Sequence, residues 1–278
     1  MSTMTSNNSD SSATQGIPTA TPGPDEAGVA AGEDRTATPV LRLDGVNKVF
    51  GSFVALEGID LSIAPGEFVS LIGPSGCGKS TVLSLASGLA RQTSGAITRS
   101  TTNIGYVFQD AALMPWRTVR ANAEFLAQLD GMPKAERRRR ADEILEVVGL
   151  SDFADAYPKT LSGGMKMRAS LARSLVLDPE LFLFDEPFGA LDQITRTKLN
   201  VQLMELFASR RFASVFVTHS VDEAVLLSTR VVVMSANPGR IAHEFEVPFD
   251  YPRSPALRYE PEFAALAGKA AAALEAVS

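Results

Sequence analysis

The chain has 278 residues, of which 45% are hydrophobic and 21% charged, so it contains enough apolar material for a sizeable globular core. A net charge of −6 argues against a protein devoted to nucleic acid, and no apolar run is long enough to span a bilayer, so any membrane association is expected to come through a partner. The single cysteine, Cys77, excludes an internal disulfide framework and favours a reducing compartment.

The first segment has the composition of an unfolded extension. Residues 1–38 are rich in Ser, Thr, Asn, Pro, Gly and Ala, and they lack the basic start and apolar centre of a signal peptide. This composition predicts a disordered N-terminal tail. A folded domain is expected over residues 39–247, because strand-like apolar alternation follows Val40 and is clear at Ile59, Leu61 and Ile63.

A phosphate-binding loop of the pattern G-x-x-x-x-G-K-S is the most specific motif in the chain. An apolar run at 68–72 precedes it and a helix-like run at 81–89 follows, which is the strand–loop–helix setting that the motif requires. This context disfavours the alternative of a glycine turn that binds nothing. The loop residues are Gly73, Pro74, Ser75, Gly76, Cys77, Gly78, Lys79, Ser80 and Thr81.

Each residue type in the loop has a chemical role. The glycines let successive backbone N–H groups point at an anion, and the following helix adds the positive end of its dipole. Lys79 is expected to reach the β- and γ-phosphates of a nucleotide, and Ser80 to offer a hydroxyl to Mg²⁺. Cys77 occupies a variable position of the motif and is interpreted as a filler residue, with an alkylation-sensitive thiol as the alternative.

A second strand ends in two carboxylates. Four apolar residues at 181–184 predict a buried parallel strand, and Asp185 and Glu186 follow them. Asp185 is expected to hold Mg²⁺, directly or through its waters, and Glu186 to act as general base on the attacking water or to orient it. For either acid alone, a helix cap or a surface charge would be the ordinary alternative.

The chain between Lys79 and Asp185 is longer than small phosphate-loop kinases and GTPases need, and the excess is helical. Apolar residues recur at helical spacing over 118–150. Within this segment, four consecutive arginines at 137–140 lie among acidic residues and predict a solvated helix face, with a lipid-headgroup or partner contact as the alternative. Trp116 lies just before the segment.

The remaining elements are weaker signals. Further strands are expected at 104–109, 214–218 and 230–234, and a hairpin at 237–239 leads into a last strand over 241–247. The segment 248–278 is expected to be a C-terminal tail with a short helix starting near Phe263. It is interpreted as a peripheral cap, with a docking tail as the alternative.

A second anion site is indicated at Ser162, Gly163 and Gly164, because a serine followed by two glycines begins another helix. A helix cap would explain these residues taken alone. A second phosphate-facing site in one chain does not easily reach the nucleotide of the first site. The arrangement is accounted for when two chains face each other and each covers the ATP of the other.

With this piece, the chain resembles the ATP-binding subunit of ABC transporters over residues 40–247. The segment 161–164 resembles the signature sequence of that family, and Gln109 matches the Q-loop glutamine. Asp192 ends a segment, 189–192, that is similar to the D-loop, and His219 matches the switch histidine. Phe50 matches the aromatic that stacks on adenine, although a phenylalanine at a strand end is more often a core residue.

The resemblance implies a fold and a set of roles. The fold is α/β, with a phosphate-loop NTPase core built on a parallel sheet, an antiparallel β subdomain and a helical subdomain inserted at about 115–175. In the family, Gln109 would contact Mg²⁺ and water, His219 the γ-phosphate, and Asp192 the dimer interface. The expected ligands are ATP and Mg²⁺.

The signature departs from the family pattern at three positions. Met165 stands where glutamine is usual, and Lys166 and Met167 replace a more polar pair. Since Ser162, Gly164 and the backbone make the phosphate contacts in the family, capping of ATP should survive. The unusual residues at these three positions are instead expected to affect how closure of the dimer is controlled.

Three segments are similar to the nitrate, sulfonate, taurine and bicarbonate importer subfamily: 110–119 with Asn122, 187–192 and 235–241. The resemblance implies an ATP-hydrolysing importer subunit for a small oxyanion such as nitrate, sulfonate or taurine. A pyrimidine or vitamin-precursor importer, an exporter subunit and a non-transport ABC ATPase stay as alternatives. Ribosomal and DNA-repair relatives are disfavoured because the chain has one nucleotide module and no long coiled coil.

The resemblance also implies partners and a location. We expect a homodimer or a pair with a similar ATPase, an integral membrane permease, and a periplasmic or lipid-anchored solute-binding protein, with no nucleic acid. The expected location is peripheral, on the cytoplasmic face of the cell membrane. Trp116 and the helical segment are expected to form the groove for a permease helix, with a buried packing role for Trp116 as an equal alternative.

Overall fold

The computed structural model describes residues 38–278. Residues 1–37, on which the expected disordered tail falls, lie outside the described range. Within 38–278 no helix combines the length and the apolar character needed to cross a bilayer. The first strand begins at Leu41, two residues after the expected start of the domain at residue 39.

Nine strands and eight α-helices make up the described part of the chain. The strands are β1 (Leu41–Phe50), β2 (Phe53–Ile63), β3 (Phe68–Ile72), β4 (Ser94–Arg99), β5 (Ile104–Val107), β6 (Leu181–Asp185), β7 (Ala213–Val217), β8 (Arg230–Ser235) and β9 (Arg240–Glu246). The helices are α1 (Lys79–Ser87), α2 (Val119–Ala123), α3 (Phe125–Leu129), α4 (Lys134–Val147), α5 (Gly163–Leu175), α6 (Gln193–Arg210), α7 (Val221–Leu227) and α8 (Pro261–Ala276).

The central sheet has six strands in the order β5–β6–β7–β3–β8–β9. The first five are parallel and β9 is antiparallel to β8. Every residue of β3 and β7 is buried, because helices or the second sheet cover both faces, and their sequences are therefore almost entirely apolar. This arrangement confirms the α/β fold class and the hairpin expected at 237–239.

The smaller sheet is antiparallel, with the order β2–β1–β4. Its edge strand β4 was absent from the expectations, because its residues are mostly exposed and lack apolar alternation. A core of buried apolar side chains lies between this sheet, α1 and the central sheet. The antiparallel sheet therefore covers one face of the strands that carry the phosphate loop.

Helices α2 to α5 contact one another and share an apolar cluster with the opposite face of the central sheet. Their division from the core as a subdomain stays a prediction. The arginines of α4 pair with nearby acids: Arg139 with Glu136 and Glu143, and Arg140 with Glu136. These exposed pairs agree with a solvated helix face, whereas Arg137 pairs with Glu124 at a mostly buried position.

The C-terminal helix α8 begins at Pro261, close to the expected start near Phe263, and it has 16 residues, so it is longer than the short helix that was expected. Proline suits the first helical turn, where its missing N–H removes no helix hydrogen bond. Phe263 is buried against the core that α8 shares with α7 and β8. The buried Arg253 donates to the carbonyls of Val225 and Ser228 at the end of α7. The segment after 248 thus packs as a cap on this helix.

Candidate active site

The phosphate loop connects the buried strand β3 to the start of α1. Its residues Ser75 and Gly76 are exposed, whereas Gly73, Cys77 and Lys79 are buried. Helix α1 begins at Lys79, earlier than the run at 81–89 suggested, and Gly78 is its N-cap residue with φ +96°. A residue with a side chain rarely adopts that conformation, so glycine is required there.

The ammonium group of Lys79 lies inside the curve of the loop. Its Nζ donates to the carbonyl oxygens of Gly73 at 2.8 Å and Pro74 at 3.1 Å. The backbone of the loop therefore wraps around a fixed positive charge, next to the N-terminus of α1. Ser80 and Thr81 follow on the first turn of the helix, where Ser80 is exposed and Thr81 half-buried. The cradle is suited to an anionic phosphate chain.

Ser80 and Asp185 meet across the sheet edge. The Ser80 hydroxyl donates to Asp185 Oδ1 at 2.9 Å, which joins the start of α1 to the end of β6. Strand β7 lies between β3 and β6, so β6 is not the direct neighbour of β3, yet its last residue reaches the loop. Burial raises the pKa of Asp185, and the charge of Glu186 raises it further against the hydrogen bond from Ser80.

These two residues fit a magnesium ion. A hydroxyl and a carboxylate are hard oxygen donors, and Mg²⁺ in nucleotide sites is held by one or two such groups together with phosphate oxygens. Among residues 38–278 no cluster of three or more His, Cys, Asp or Glu could hold a metal by itself. A metal at this edge would therefore need the nucleotide as a further ligand.

Glu186 and His219 form the second pair at this edge. His219 Nε2 lies 2.6 Å from Glu186 Oε1, and the histidine side chain is half exposed while the glutamate is mostly buried. Glu186 has φ +47°, a conformation that costs free energy in a residue with a side chain. Its backbone is fixed by a hydrogen bond from its N–H to Val217 O at 3.1 Å. The strained backbone aims the carboxylate at the histidine.

Thr218 and Glu223, which were not predicted as site residues, hold the segment next to His219. Thr218 donates its hydroxyl to Glu223 Oε2 and accepts the N–H of Ser220 at 3.1 Å. Glu223 is buried on the first turn of α7, and burial raises the pKa of its carboxyl group. A glutamate in a first helical turn is ordinarily an exposed partner of the helix dipole, so no sequence signal marked it as buried.

Phe50 ends β1 and exposes 53% of its surface, so the core interpretation of this residue was wrong. The Nζ atom of Lys48 lies 4.6 Å from the centre of the Phe50 ring. The same ammonium group donates to Arg91 O at 2.8 Å. Because about half of its surface is exposed, the Phe50 ring is available to stack on a flat partner.

The signature and the D-loop segment pack on each other. Ser162 caps α5 by accepting the N–H of Met165 at 3.3 Å, and Asp192 caps α6 by accepting the N–H of Thr195 at 3.0 Å. A Cβ atom added to Gly164 would lie 2.5 Å from Thr195 Cγ2, so the two helix starts fit closely only with glycine. A Cβ on Gly163 would lie 3.6 Å from Leu191 Cδ2, an ordinary contact.

The unusual methionines of the signature are packing residues. Met167 is buried in the core cluster and Met165 packs against it half-buried. Neither replaces a group that the capping interaction of Ser162 uses.

Four expected site elements lie apart from the Ser80–Asp185 and Glu186–His219 pairs: they are Phe50, Gln109, the segment Ser162–Gly164 and Asp192. No hydrogen bond or ion pair among residues 38–278 links them to Ser80, Asp185, Glu186 or His219. Gln109 lies in the loop after β5, which ends at Val107 rather than at the expected 109, and it is exposed.

The comparisons with known proteins agree with this geometry. A family model described as "ABC transporter" matches residues 56–189. An ATP-binding protein of Brucella abortus is 47% identical over 235 residues, covering 82% of this chain and 90% of that protein. An aliphatic sulfonates import ATP-binding protein of Pseudomonas syringae is 45% identical over 231 residues, covering 82% and 93%. A nitrate import ATP-binding protein of Synechococcus elongatus is 46% identical over 228 residues, covering 77% and 35%.

Two solved structures share the fold. The dimeric structure of MJ0796, a bacterial ABC transporter cassette, has a TM-score of 0.68 and 32% identity, covering 74% of this chain and 98% of that chain. A dimeric post-hydrolysis state of the same cassette, bound to ADP and Pi, has a TM-score of 0.67 and 32% identity, with the same coverage.

The fold and the edge that carries both residue pairs define an ATP-binding cassette with a phosphate loop. The chain belongs to the ABC transporter family, and it is an ATP-hydrolysing subunit.

The thiol of Cys77 is expected to react slowly in the folded protein. Cys77 is a fully buried residue of the loop, and burial raises the pKa of its thiol more than the nearby Lys79 lowers it. Since the thiolate is the reactive form, the folded protein should be alkylated by iodoacetamide at pH 8 at least about tenfold more slowly than the protein in urea. Mass spectrometry of the labelled chain measures both rates. Equal rates in the two conditions would contradict this description of the loop.

Proposed function

We propose that this chain powers the uptake of a small solute by an ABC importer, and that the solute is an oxyanion such as nitrate, a sulfonate or taurine. The observation that carries the proposal is the juxtaposition of Ser80–Asp185 and Glu186–His219 at one sheet edge, in a chain similar to nitrate and aliphatic sulfonate import ATP-binding proteins. The likeness favours import over export and over a non-transport role.

Nucleotide binding is assigned first to the phosphate loop. Backbone N–H groups of the loop and the ammonium of Lys79 would bind the phosphates of ATP. Phe50, with its ring half exposed, would stack on adenine. Ser80 and Asp185 would hold Mg²⁺, which neutralises charge on the phosphates when bound. Gln109 would complete this site by contacting the metal and water.

Hydrolysis is assigned to Glu186 and His219. The Glu186 carboxylate accepts the proton of the attacking water, as a positioned general base. His219 holds the carboxylate through the 2.6 Å contact, and its half-exposed ring would lie beside the γ-phosphate of bound ATP. Thr218 and Glu223 fix the strand end from which His219 projects.

A second copy would complete the site. Ser162 and Gly164 lie on the start of α5, which packs on α6 rather than on the phosphate loop of its own chain. Two copies related by a two-fold axis would place these groups over the ATP of the partner, with Asp192 at the interface. The dimeric state of the structurally similar cassette supports this arrangement. ATP favours closure because it has contacts on both faces only in the closed pair.

The remaining partners are a permease and a solute-binding protein. Trp116 exposes 73% of its surface, so the alternative of a buried packing role was wrong, and it is available for a permease helix. Such a partner would hold the chain peripherally on the cytoplasmic face of the membrane. A periplasmic or lipid-anchored binding protein would select the solute, and nucleic acid has no role.

Replacing the base tests the chemical assignment. Glu186→Gln keeps the shape of the side chain and removes its basicity, so ATP hydrolysis should fall by about a hundredfold or more while ATP binding is retained. Because the variant binds ATP without hydrolysing it, an ATP-bound dimer should also accumulate, and light scattering after size exclusion measures it. Glu180→Gln, an exposed residue just before the opposite end of β6, is the matched control and should keep full activity. A Glu186→Gln variant with normal turnover would refute the assignment.

Copurification tests the transport assignment. We expect a pull-down of the full chain from gently solubilised native membranes to bring a multi-span permease and a solute-binding protein, identified by mass spectrometry. The binding protein can then be titrated with nitrate, sulfonates and pyrimidines. A permease without a binding protein would favour export, and ribosomal or DNA-repair proteins without a membrane partner would overturn the transport assignment.

A further inference from the structure

We propose that the turn between β8 and β9, residues 236–239, supports the phosphate loop from its buried side, and that Gly239 is a positioning residue for this loop. The inference rests on the proposed function, since it assumes that this loop binds the phosphates of ATP. Gly239 is distant in sequence from the loop and lies in the segment 235–241.

The turn is tied to strand β2 by two backbone hydrogen bonds. The N–H of Gly239 donates to Ala55 O at 3.1 Å, and the N–H of Glu57 donates to Gly239 O at 3.0 Å. An ion pair between Arg240 and Glu57, at 2.8 Å, reinforces the same junction. The turn is therefore fixed to the antiparallel sheet that covers the loop.

Gly239 touches the loop itself. A Cβ atom at this position would lie 2.1 Å from the carbonyl oxygen of Cys77 and 2.9 Å from that of Ala55. Both neighbours are backbone atoms, which cannot move aside as a flexible side chain can. The φ of Gly239 is outside the left-handed region, so the requirement for glycine comes from this close approach and not from backbone strain.

The same side of the loop has two more close approaches, one to a side-chain atom and one to a backbone oxygen. A Cβ on Gly78 would lie 2.5 Å from Leu56 Cδ2, and a Cβ on Gly73 would lie 2.7 Å from Met234 O in β8. Strand β2 and the β8–β9 hairpin therefore enclose the loop without clearance. The opposite side, at Ser75 and Gly76, is exposed.

A change at Gly239 would reach a backbone N–H group of the phosphate loop through one rigid peptide plane. The carbonyl of Cys77 and the N–H of Gly78 belong to one planar peptide group, so a push on the oxygen rotates the N–H. In the proposed site, this N–H is among the donors that face the phosphates. Gly239 therefore sets nucleotide affinity, whereas Glu186 and His219 set the chemical step.

The decisive variant is Gly239→Ala, with Gly268→Ala in α8 as the matched control, because a Cβ at Gly268 meets nothing within 4 Å. We expect Gly239→Ala to raise the KM for ATP about tenfold with kcat nearly unchanged, the usual scale of an overpacking defect. Inhibition by tripolyphosphate should weaken by the same factor, since that probe reports the phosphate cradle without the base. Gly268→Ala should leave all three values at those of the wild type.

A second readout needs no nucleotide. Cys77 is the only cysteine of the chain, so its alkylation rate by iodoacetamide reports how the loop is packed. Gly239→Ala should increase this rate several-fold in the folded protein, and Gly268→Ala should not. Unchanged labelling together with an unchanged KM would overturn the proposal. A wild-type chain that hydrolyses no ATP would refute the proposed function, while the labelling rates would still decide whether Gly239 packs the loop.

A milder variant covers the case in which Gly239→Ala does not fold. Arg240→Gln removes the ion pair between Arg240 and Glu57. Both of these side chains are about half exposed, so the variant should keep its fold. We expect Cys77 labelling to become about twofold to threefold faster because the turn is held less firmly. Labelling at the wild-type rate in this variant, with Gly239→Ala unfolded, would count against the proposal.

Discussion

The hydrogen bond from Ser80 to Asp185 is the interaction on which the site depends. It joins the start of α1 to the end of β6, although β7 separates β6 from the strand that carries the loop. The bond is possible because β3, β7 and β6 run parallel and end at the same edge. The same register brings His219, which follows β7, to Glu186, which follows β6. A parallel sheet thus collects the loop, both acids and the histidine at its carboxyl edge.

The rest of the machinery is built away from this edge. The signature serine and Asp192 each cap a helix, and the two helix starts are packed together through Gly164 and Thr195. Within residues 38–278 of one chain, these groups cap helices and make no hydrogen bond to the phosphate loop. In the proposed dimer, ATP itself makes the connection, which is why nucleotide binding and closure of the pair are one event.

The sequence predicted the parts of the site that depend on local pattern. The phosphate loop requires glycine, lysine and serine at fixed spacing, and a buried strand that ends in two acids is typical of phosphate-loop proteins, so Lys79, Ser80 and Asp185 were predicted together. The exposed edge strand β4 was missed because its residues carry no apolar alternation. Gly239 and Glu223 were missed because their roles come from tertiary contacts that no local pattern records.

The boundaries of elements were predicted less well than their types. Strand β5 ends two residues early because the chain leaves the sheet before Gln109, and α8 extends to 16 residues because alanine has the highest intrinsic helix propensity. Large apolar residues are usually buried, so a buried role was the alternative for both Phe50 and Trp116. Both are exposed, which excludes that alternative and agrees with the contacts that the family resemblance implied.

The measurement that tests the account most directly is the magnesium dependence of ATP binding in Asp185→Asn. ATP affinity is titrated in excess EDTA and in excess Mg²⁺, for the wild type and for the variant. If Ser80 and Asp185 hold the metal, Mg²⁺ should tighten binding to the wild type, and the variant should lose most of that gain while keeping its affinity in EDTA. A variant that retains the full magnesium effect would contradict the assignment of this edge as the metal and nucleotide site.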